Sequence, residues 1–170
     1  MSKPSLTIRT VQATSIVLGT TVAGLNAGLS FFVVPRLLES PTPLLLRQWD
    51  KMSSLTRRLF PGPLLLPGLL NVYLAYKLPE KTRLYVLAAA LVFSTNPYTY
   101  AVIMPINRKL KSKVQSLYAT DTGLGDVLVD EIVGGEETAH ALVDQWGLLH
   151  LYRPAMALLA GCVGLYAALP

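Results

Sequence analysis

Four long apolar segments constrain the fold of this chain more than any other feature of its sequence. We place them at residues 11–34, 62–78, 84–106 and 147–169. A helix needs about 20 apolar residues to cross the hydrocarbon of a bilayer, and each segment approaches or exceeds that length. Charged residues make up only 15% of the chain, against about 25% in soluble domains. The pattern therefore predicts four membrane-spanning helices.

The predicted architecture is all-α: an integral membrane antiparallel four-helix bundle. Four spans of about 20 residues use roughly half of the chain, so residues 1–170 are predicted to form a single membrane-embedded domain. An extra-membrane segment is predicted between the third and fourth spans. There a basic run from Arg108 is followed by acidic residues and by Gly134-Gly135, a pattern typical of a solvated loop or surface helix.

Basic residues give the chain a net charge of +5 and flank the apolar segments. This placement is typical of membrane anchors that contact lipid, and it argues against nucleic acid as a partner. Five of the 15 basic residues lie on the side of the two termini and the other ten lie opposite, which predicts termini outside the cytoplasm. The first apolar run lacks a cleavage site and is predicted to be a retained span. In a eukaryote the endoplasmic reticulum is the expected membrane, and assembly into a homo-oligomer stays open.

Glycine, proline and amide residues within the spans predict local features. Gly24 and Gly28 lie four residues apart in the first span, a spacing that lets another helix approach closely. Asn26 between them is predicted to face the bundle interior, either as a contact between helices or as a substrate-binding residue. In the third span, Asn96-Pro97 is predicted to loosen the helix, because proline lacks an amide donor.

Candidate catalytic residues lie where the fourth span begins. Trp146, His150 and Arg153 have spacings of four and three, which place them on one face of a continuous helix. Asn107 ends the third span on the same side of the predicted bundle, so it is expected near His150. An imidazole base, a cation, an amide and an indole beside an apolar region suit a lipophilic aromatic substrate with an acidic C–H. The alternative is that Trp146 and Arg153 are interfacial anchors.

Other catalytic classes have little support in this sequence. Nucleotide-binding, zinc-protease, dithiol and serine-hydrolase motifs are absent from it. His140, Asp144 and His150 were weighed as metal ligands, but the six residues from Asp144 to His150 put these two on different helix faces. No metal site is therefore predicted.

At these residues the chain resembles the anthrone oxygenase-like family of small membrane proteins of fungal polyketide pathways. The resemblance covers nearly the whole chain. It rests on the glycine-rich first span ending in Pro35, on Pro97-Tyr98-Thr99 with the run 104–110 (MPINRKL), and on the run 146–153 (WGLLHLYR).

The resemblance implies that an anthrone is oxidised to an anthraquinone by molecular oxygen without flavin, haem or metal. We expect His150 to act as the base, Arg153 and Asn107 to stabilise the oxyanion, and Trp146 to stack on the substrate. Tyr98 is a further expected substrate-binding residue. Two alternatives remain: a membrane isomerase or cyclase that stops after proton transfer, and a non-catalytic scaffold or carrier.

Overall fold

The computed structural model describes residues 5–120 and 138–169, and every regular element in these two ranges is helical. The helices, numbered in chain order, are α1 (Leu6–Gly28), α2 (Val34–Leu38), α3 (Thr42–Leu59), α4 (Pro61–Lys77), α5 (Thr82–Tyr98), α6 (Met104–Thr120), α7 (Ala139–His150) and α8 (Tyr152–Ala168). Wide π-helical turns at Leu29–Val33 and Thr99–Ile103 join α1 to α2 and α5 to α6, and a 3-10 turn at Pro79–Lys81 precedes α5. The predicted all-α fold is confirmed.

Four helical runs in the described ranges are long and apolar enough to cross a membrane. They are Leu6–Leu38, Thr42–Lys77, Pro79–Ala119 and Ala139–Ala168, with mean hydropathy of 1.7, 1.3, 1.4 and 1.4 over their most apolar stretches. Each predicted span lies within one of these runs to within one residue. The chain is therefore a multi-pass membrane protein. Because a crossing takes about 20 residues, runs of 36 and 41 residues are longer than the bilayer requires.

The chain divides into two compact units. Unit 1 comprises Met1–Ala27, Leu59–Pro97 and Tyr152–Pro170, and unit 2 comprises Gly28–Arg58 and Tyr98–Leu151. The division cuts each of the four helical runs once. The prediction of a single domain over residues 1–170 stays a prediction. Most of the predicted extra-membrane segment lies outside the described residues, because its acidic part and Gly134-Gly135 fall between Thr120 and Thr138.

Unit 1 buries several polar side chains and exposes large apolar ones. Gln12, Ser15 and Asn71 are buried in it, whereas large apolar side chains such as Val17 and Leu69 are exposed. A soluble domain has the reverse arrangement, and a helix in lipid must turn its polar side chains toward other helices. The distribution in unit 1 therefore suits a hydrocarbon surrounding.

Polar contacts join the helices of unit 1. The amide of Gln12 on α1 donates to the Tyr85 hydroxyl on α5 at 2.6 Å. The Lys81 ammonium, just before α5, donates to the carbonyls of Ala167 and Leu169 at 2.7 and 2.6 Å, which satisfies carbonyls at the end of α8. Tyr152, the first residue of α8, bonds Ser94 near the end of α5, so α5 and α8 run in opposite directions. The antiparallel order of the four predicted spans as a whole stays a prediction.

Unit 2 has a separate apolar core. It is formed by one face each of α2, α3, α6 and α7, and its buried side chains include Leu45, Trp49, Leu110 and Trp146. The opposite faces of α3 and α6 expose charged residues, among them Lys51, Arg57, Arg58, Arg108, Lys109 and Lys111. Amphipathic helices of this kind pack one face and leave the other in a polar environment. Unit 2 therefore differs from unit 1, whose outer surface is apolar.

Proline residues explain the irregular points of the helical runs. Pro35 and Pro105 each follow a π-helical turn by two residues. Each proline lacks the amide that would bond the carbonyl four residues earlier, and its ring crowds that carbonyl, so the preceding turn widens. The helix loosens two residues after Pro97, the residue at which its loosening was predicted: α5 continues through Pro97, and the wide turn begins at Thr99.

The close approach of another helix predicted at Gly24 and Gly28 is not found within the described residues. Among them, a Cβ added at Gly24 would meet nothing within 4 Å, and one at Gly28 would meet only Phe32 in the following turn, at 3.9 Å. Close packing occurs instead at Gly68, where an added Cβ would lie 2.9 Å from the Phe93 ring. At Gly147 it would lie 2.8 Å from a Val34 methyl.

Candidate functional site: an indole, an imidazole and an amide in unit 2

Helix α7 carries the two aromatic residues of the candidate site. It begins at an N-cap, Thr138, whose side chain accepts a hydrogen bond from the Ala141 amide at 3.2 Å. Its buried residues recur every three or four positions and end with Trp146, Gly147 and His150. Because residues four apart lie above one another on a helix, Trp146 and His150 share the buried face.

The rings of Trp146 and His150 are stacked. Their centroids are 4.7 Å apart and their planes differ by 19°. Trp146 is 3% exposed and His150 is 2% exposed. A protonated imidazole in this position would gain about 0.5–2 kcal/mol from the indole π system. The stack therefore suits a histidine that takes up a proton.

Asn107 on α6 is held by the same tryptophan. The Trp146 indole donates from Nε1 to Asn107 Oδ1 at 3.0 Å. An indole nitrogen can only donate, so this bond places the amide oxygen toward Trp146 and directs the NH₂ group elsewhere. The structure thus brings Asn107, Trp146 and His150 together, with Trp146 in contact with both of the others.

Tyr98 belongs to the same unit and contacts the end of α7. Its hydroxyl donates to the Leu149 carbonyl at 3.0 Å, one residue before His150. The carbonyls of the last helical turn lack intrahelical partners, and Pro154 has no amide to offer the His150 carbonyl. Helix α7 accordingly ends at His150. Tyr98 thus adds a side-chain donor to the Leu149 carbonyl, which also accepts from the Leu151 amide.

Arg153 and Asn26 fall in unit 1, whereas the other four predicted site residues fall in unit 2. The spacing argument for Arg153 assumed one continuous helix, and this premise is wrong because α8 begins anew at Tyr152. The Asn26 amide is buried and donates to the Val22 carbonyl of its own helix at 2.9 Å. The catalytic role of Arg153 and the substrate contact of Asn26 stay predictions.

The residues weighed as metal ligands have other surroundings. His140 Nε2 lies 3.0 Å from the Ser40 carbonyl oxygen, and Asp144 is exposed. Within residues 5–120 and 138–169, no three His, Cys, Asp or Glu side chains are grouped closely enough to hold a metal ion.

Sequence reasoning did not select Trp49 as a site residue. Trp49 is fully buried and meets Trp146 edge to face, with ring centroids 6.4 Å apart. The signal in the sequence is the spacing of Leu45, Leu46, Trp49 and Ser53, which form the buried face of α3.

The fold and this cluster define a multi-pass helical membrane protein with an imidazole–indole–amide group in its second unit. A family model described as anthrone oxygenase matches residues 49–163, more than half of the chain. The chain therefore belongs to the anthrone oxygenase family. Membership confirms the predicted family resemblance and the prediction of an enzyme of the oxygenase class.

Curated relatives cover nearly the full length of the chain. Anthrone oxygenase AgnL2 of Paecilomyces divaricatus is 28% identical over 161 residues, covering 90% of this chain and 92% of the relative. Anthrone oxygenase nsrD of Aspergillus novofumigatus is 27% identical, covering 92% of each chain. Anthrone oxygenase tpcL of Aspergillus fumigatus is 26% identical, covering 91% and 90%. No solved structure matches this chain.

Proposed function

We propose that this chain is a membrane-bound oxygenase that converts an anthrone-type polyketide to an anthraquinone with molecular oxygen and without a cofactor. The observation that carries the proposal is the contact of Trp146 with both His150 and Asn107. Family membership and the names of three relatives support the substrate class. The reaction replaces one CH₂ group by a carbonyl, consumes one O₂ and releases one water.

His150 is the proposed general base. An anthrone CH₂ is acidified because its anion is an extended aromatic phenolate, so an imidazole of ordinary basicity suffices to remove the proton. The imidazolium that forms faces the indole of Trp146 at 4.7 Å. This contact stabilises the protonated base while the substrate is an anion.

Asn107 is the proposed donor to the developing oxyanion. Because its Oδ1 is engaged by Trp146 at 3.0 Å, its NH₂ group is the part that can address a substrate oxygen. A preoriented donor is most effective where water is excluded. Trp146 would then position both catalytic groups and offer the substrate an aromatic neighbour.

The oxygen step relies on the substrate itself. The electron-rich anion transfers one electron to O₂, the two radicals combine at the former CH₂ carbon, and protonation gives a hydroperoxide. Loss of the remaining hydrogen as a proton with cleavage of the O–O bond yields the ketone and water.

The test is oxygen consumption with an emodin-type anthrone by the protein in lipid nanodiscs with a chelator present. We expect quinone formation above the spontaneous rate with one O₂ consumed per quinone. The His150→Gln variant should lower the enzymatic rate by at least about 100-fold, the usual contribution of a general base.

The matched control is His140→Gln, which changes the same residue type on the same helix. His140 contacts the Ser40 carbonyl and is expected to keep the wild-type rate. A wild-type rate in His150→Gln would overturn the assignment of the base, and inhibition by the chelator would overturn the cofactor-free reaction. Product formed without oxygen uptake would establish the isomerase or cyclase alternative.

We propose roles for two further residues. Arg153 is the proposed cation that stabilises the oxyanion, and Asn26 is a proposed substrate-binding amide. In the same assay, Arg153→Gln is expected to lower kcat and Asn26→Leu to raise KM. An unchanged kcat in Arg153→Gln would contradict the role of Arg153. An unchanged KM in Asn26→Leu would contradict the role of Asn26.

We propose the endoplasmic reticulum as the membrane that holds the protein. The fungal origin of the relatives supports a eukaryotic setting, in which multi-pass proteins enter this membrane first. A fluorescent fusion should co-localise with a marker of the reticulum, and a mitochondrial distribution would contradict the proposal.

A further inference from the structure

Trp49 Nε1 and Ser30 Oγ are buried polar atoms of unit 2 with no hydrogen-bond partner within the described ranges. The Trp49 side chain is 0% exposed. Leaving a buried donor without a partner is destabilising, and native proteins contain few such groups. A buried N–H without a partner in the described ranges is therefore a candidate donor to a bound ligand.

The buried polar side chains of unit 1 behave differently. Gln12 bonds the Tyr85 hydroxyl, and Ser15 and Asn71 donate to the Pro67 carbonyl at 3.3 and 2.9 Å. Thr95, which is also buried, donates to the Val92 carbonyl at 2.7 Å. These buried polar groups of unit 1 are therefore paired within the chain. Trp49 Nε1 and Ser30 Oγ of unit 2 differ from them in having no partner within the described ranges.

Both atoms lie on elements that pack against α7, the helix of the proposed base. The Trp49 ring meets the Trp146 ring at 89° with 6.4 Å between centroids. Ser30 lies in the wide turn Leu29–Val33, which packs on α7. Wide π-helical turns occur frequently at functional sites. These positions place unsatisfied donors beside the cluster of Trp146, His150 and Asn107.

We infer that Trp49 is a substrate-binding residue whose indole N–H donates to an oxygen of the ring ligand. This inference rests on the proposed function and adds a specificity-determining group to the same site. An indole N–H can only donate, so its ligand atom must be an acceptor such as a ketone or phenolate oxygen. The surrounding core, with Leu45, Leu46 and Ile103, is apolar. Unit 2 therefore selects flat aromatic molecules that carry an acceptor oxygen over hydrocarbons of the same shape.

The experiment compares two tricyclic ligands that differ in one oxygen, anthrone and 9,10-dihydroanthracene. Their dissociation constants are measured without oxygen, so that no turnover occurs, for wild type and Trp49→Phe in nanodiscs. The substitution keeps a flat aromatic ring and deletes the N–H. We expect anthrone binding to weaken about 3- to 10-fold, as for loss of one hydrogen bond, while dihydroanthracene binding stays unchanged.

A second readout separates ligand binding from a structural role. Both Trp49→Phe and Trp146→Phe remove buried ring volume and are therefore expected to lower the melting temperature without ligand. Trp49→Phe should lower it less than Trp146→Phe, because the Trp49 N–H has no partner within residues 5–120 and 138–169, whereas the Trp146 N–H is bonded to Asn107. A fall for ligand-free Trp49→Phe as large as that for Trp146→Phe would assign the N–H to a contact within the fold and overturn the inference.

Unchanged anthrone binding in Trp49→Phe, or an equal loss for both ligands, would also overturn the inference. Failure of the proposed function looks different. In that case wild type in air leaves anthrone unoxidised, whatever the anaerobic dissociation constants of the two ligands.

Discussion

At the scale of single residues, Tyr98 contacts the backbone next to the proposed base. Its hydroxyl bonds the Leu149 carbonyl at 3.0 Å, in the last turn of α7. That turn ends at His150 because Pro154 cannot continue the hydrogen-bond ladder. Tyr98 is expected to bind substrate, and the structure shows that it bonds the backbone beside His150.

We predict that Tyr98→Phe lowers the free energy of unfolding by about 1 kcal/mol, the net contribution of one hydrogen bond. The His150 ring should also become less well positioned, so kcat falls more than KM rises. Unfolding in a titration with denaturing detergent and steady-state kinetics measure the two effects.

Tyr100→Phe is the matched control, because Tyr100 lies two residues further on, in the wide turn that follows α5, and is 71% exposed. It should change neither quantity. Equal stability of Tyr98→Phe and wild type would show that the bond to Leu149 contributes nothing to holding α7.

Residue spacing predicted some members of the candidate site and not others. The interval of four between Trp146 and His150 correctly predicted one helix face, because α7 is continuous between them. The same reasoning for Arg153 stays a prediction, because α7 ends at His150 and α8 begins at Tyr152. The pairing of Asn107 with Trp146 needed the tertiary structure, because it joins residues 39 positions apart.

At the scale of secondary-structure elements, Gly147 decides how closely α2 and α7 pack. A Cβ there would lie 2.8 and 3.1 Å from the two methyl groups of Val34. Valine is β-branched and cannot rotate easily out of such a contact within a helix. Glycine is therefore needed at position 147, where α2 packs against α7.

We predict that Gly147→Ala destabilises the protein by about 1–3 kcal/mol, as overpacking does in other cores. Val34→Ala in the same chain removes both methyl groups and should restore part of this loss. The coupling between the two substitutions is read from the free energies of unfolding of both single variants and the double variant.

Gly24→Ala is the control for helix propensity, because a Cβ at Gly24 meets nothing within 4 Å. It should be neutral or slightly stabilising, since alanine favours a helix by about 0.5–1 kcal/mol over glycine. A Gly147→Ala variant as stable as Gly24→Ala would contradict the close approach of α2 and α7.

The sequence showed where glycines stand but not which of them a neighbouring helix meets. The spacing of Gly24 and Gly28 is the usual signature of a helix contact, yet Gly24 is exposed. Isolated glycines at positions 68 and 147 carry the close contacts instead. How closely two helices approach depends on the side chains of both. The spacing of glycines in one helix contains no information about the side chains of the other.

At the scale of the whole molecule, the distribution of basic residues predicts how the chain is oriented. Five lie on the side of the termini and ten on the side of the two longer connections. Positively charged segments are retained in the cytoplasm. Both termini are therefore predicted to face the lumen.

We predict that an N-glycosylation acceptor with a flexible spacer is modified when fused to the C-terminus. The same acceptor inserted between Thr120 and Thr138 should stay unmodified. Glycosidase-sensitive shifts in electrophoretic mobility measure both outcomes. Modification of the inserted acceptor together with an unmodified C-terminal fusion would reverse the predicted orientation.

The sequence by itself determined the number of long apolar helices, because lipid demands about 20 apolar residues for each crossing, and that signal is local. It also determined the helix register of Trp146 and His150, which depends only on the α-helical period. The tertiary structure decided that the runs divide between two units, that Trp146 holds Asn107, and that Trp49 is buried beside it. These features arise from packing between distant segments, and no periodicity within one segment encodes them.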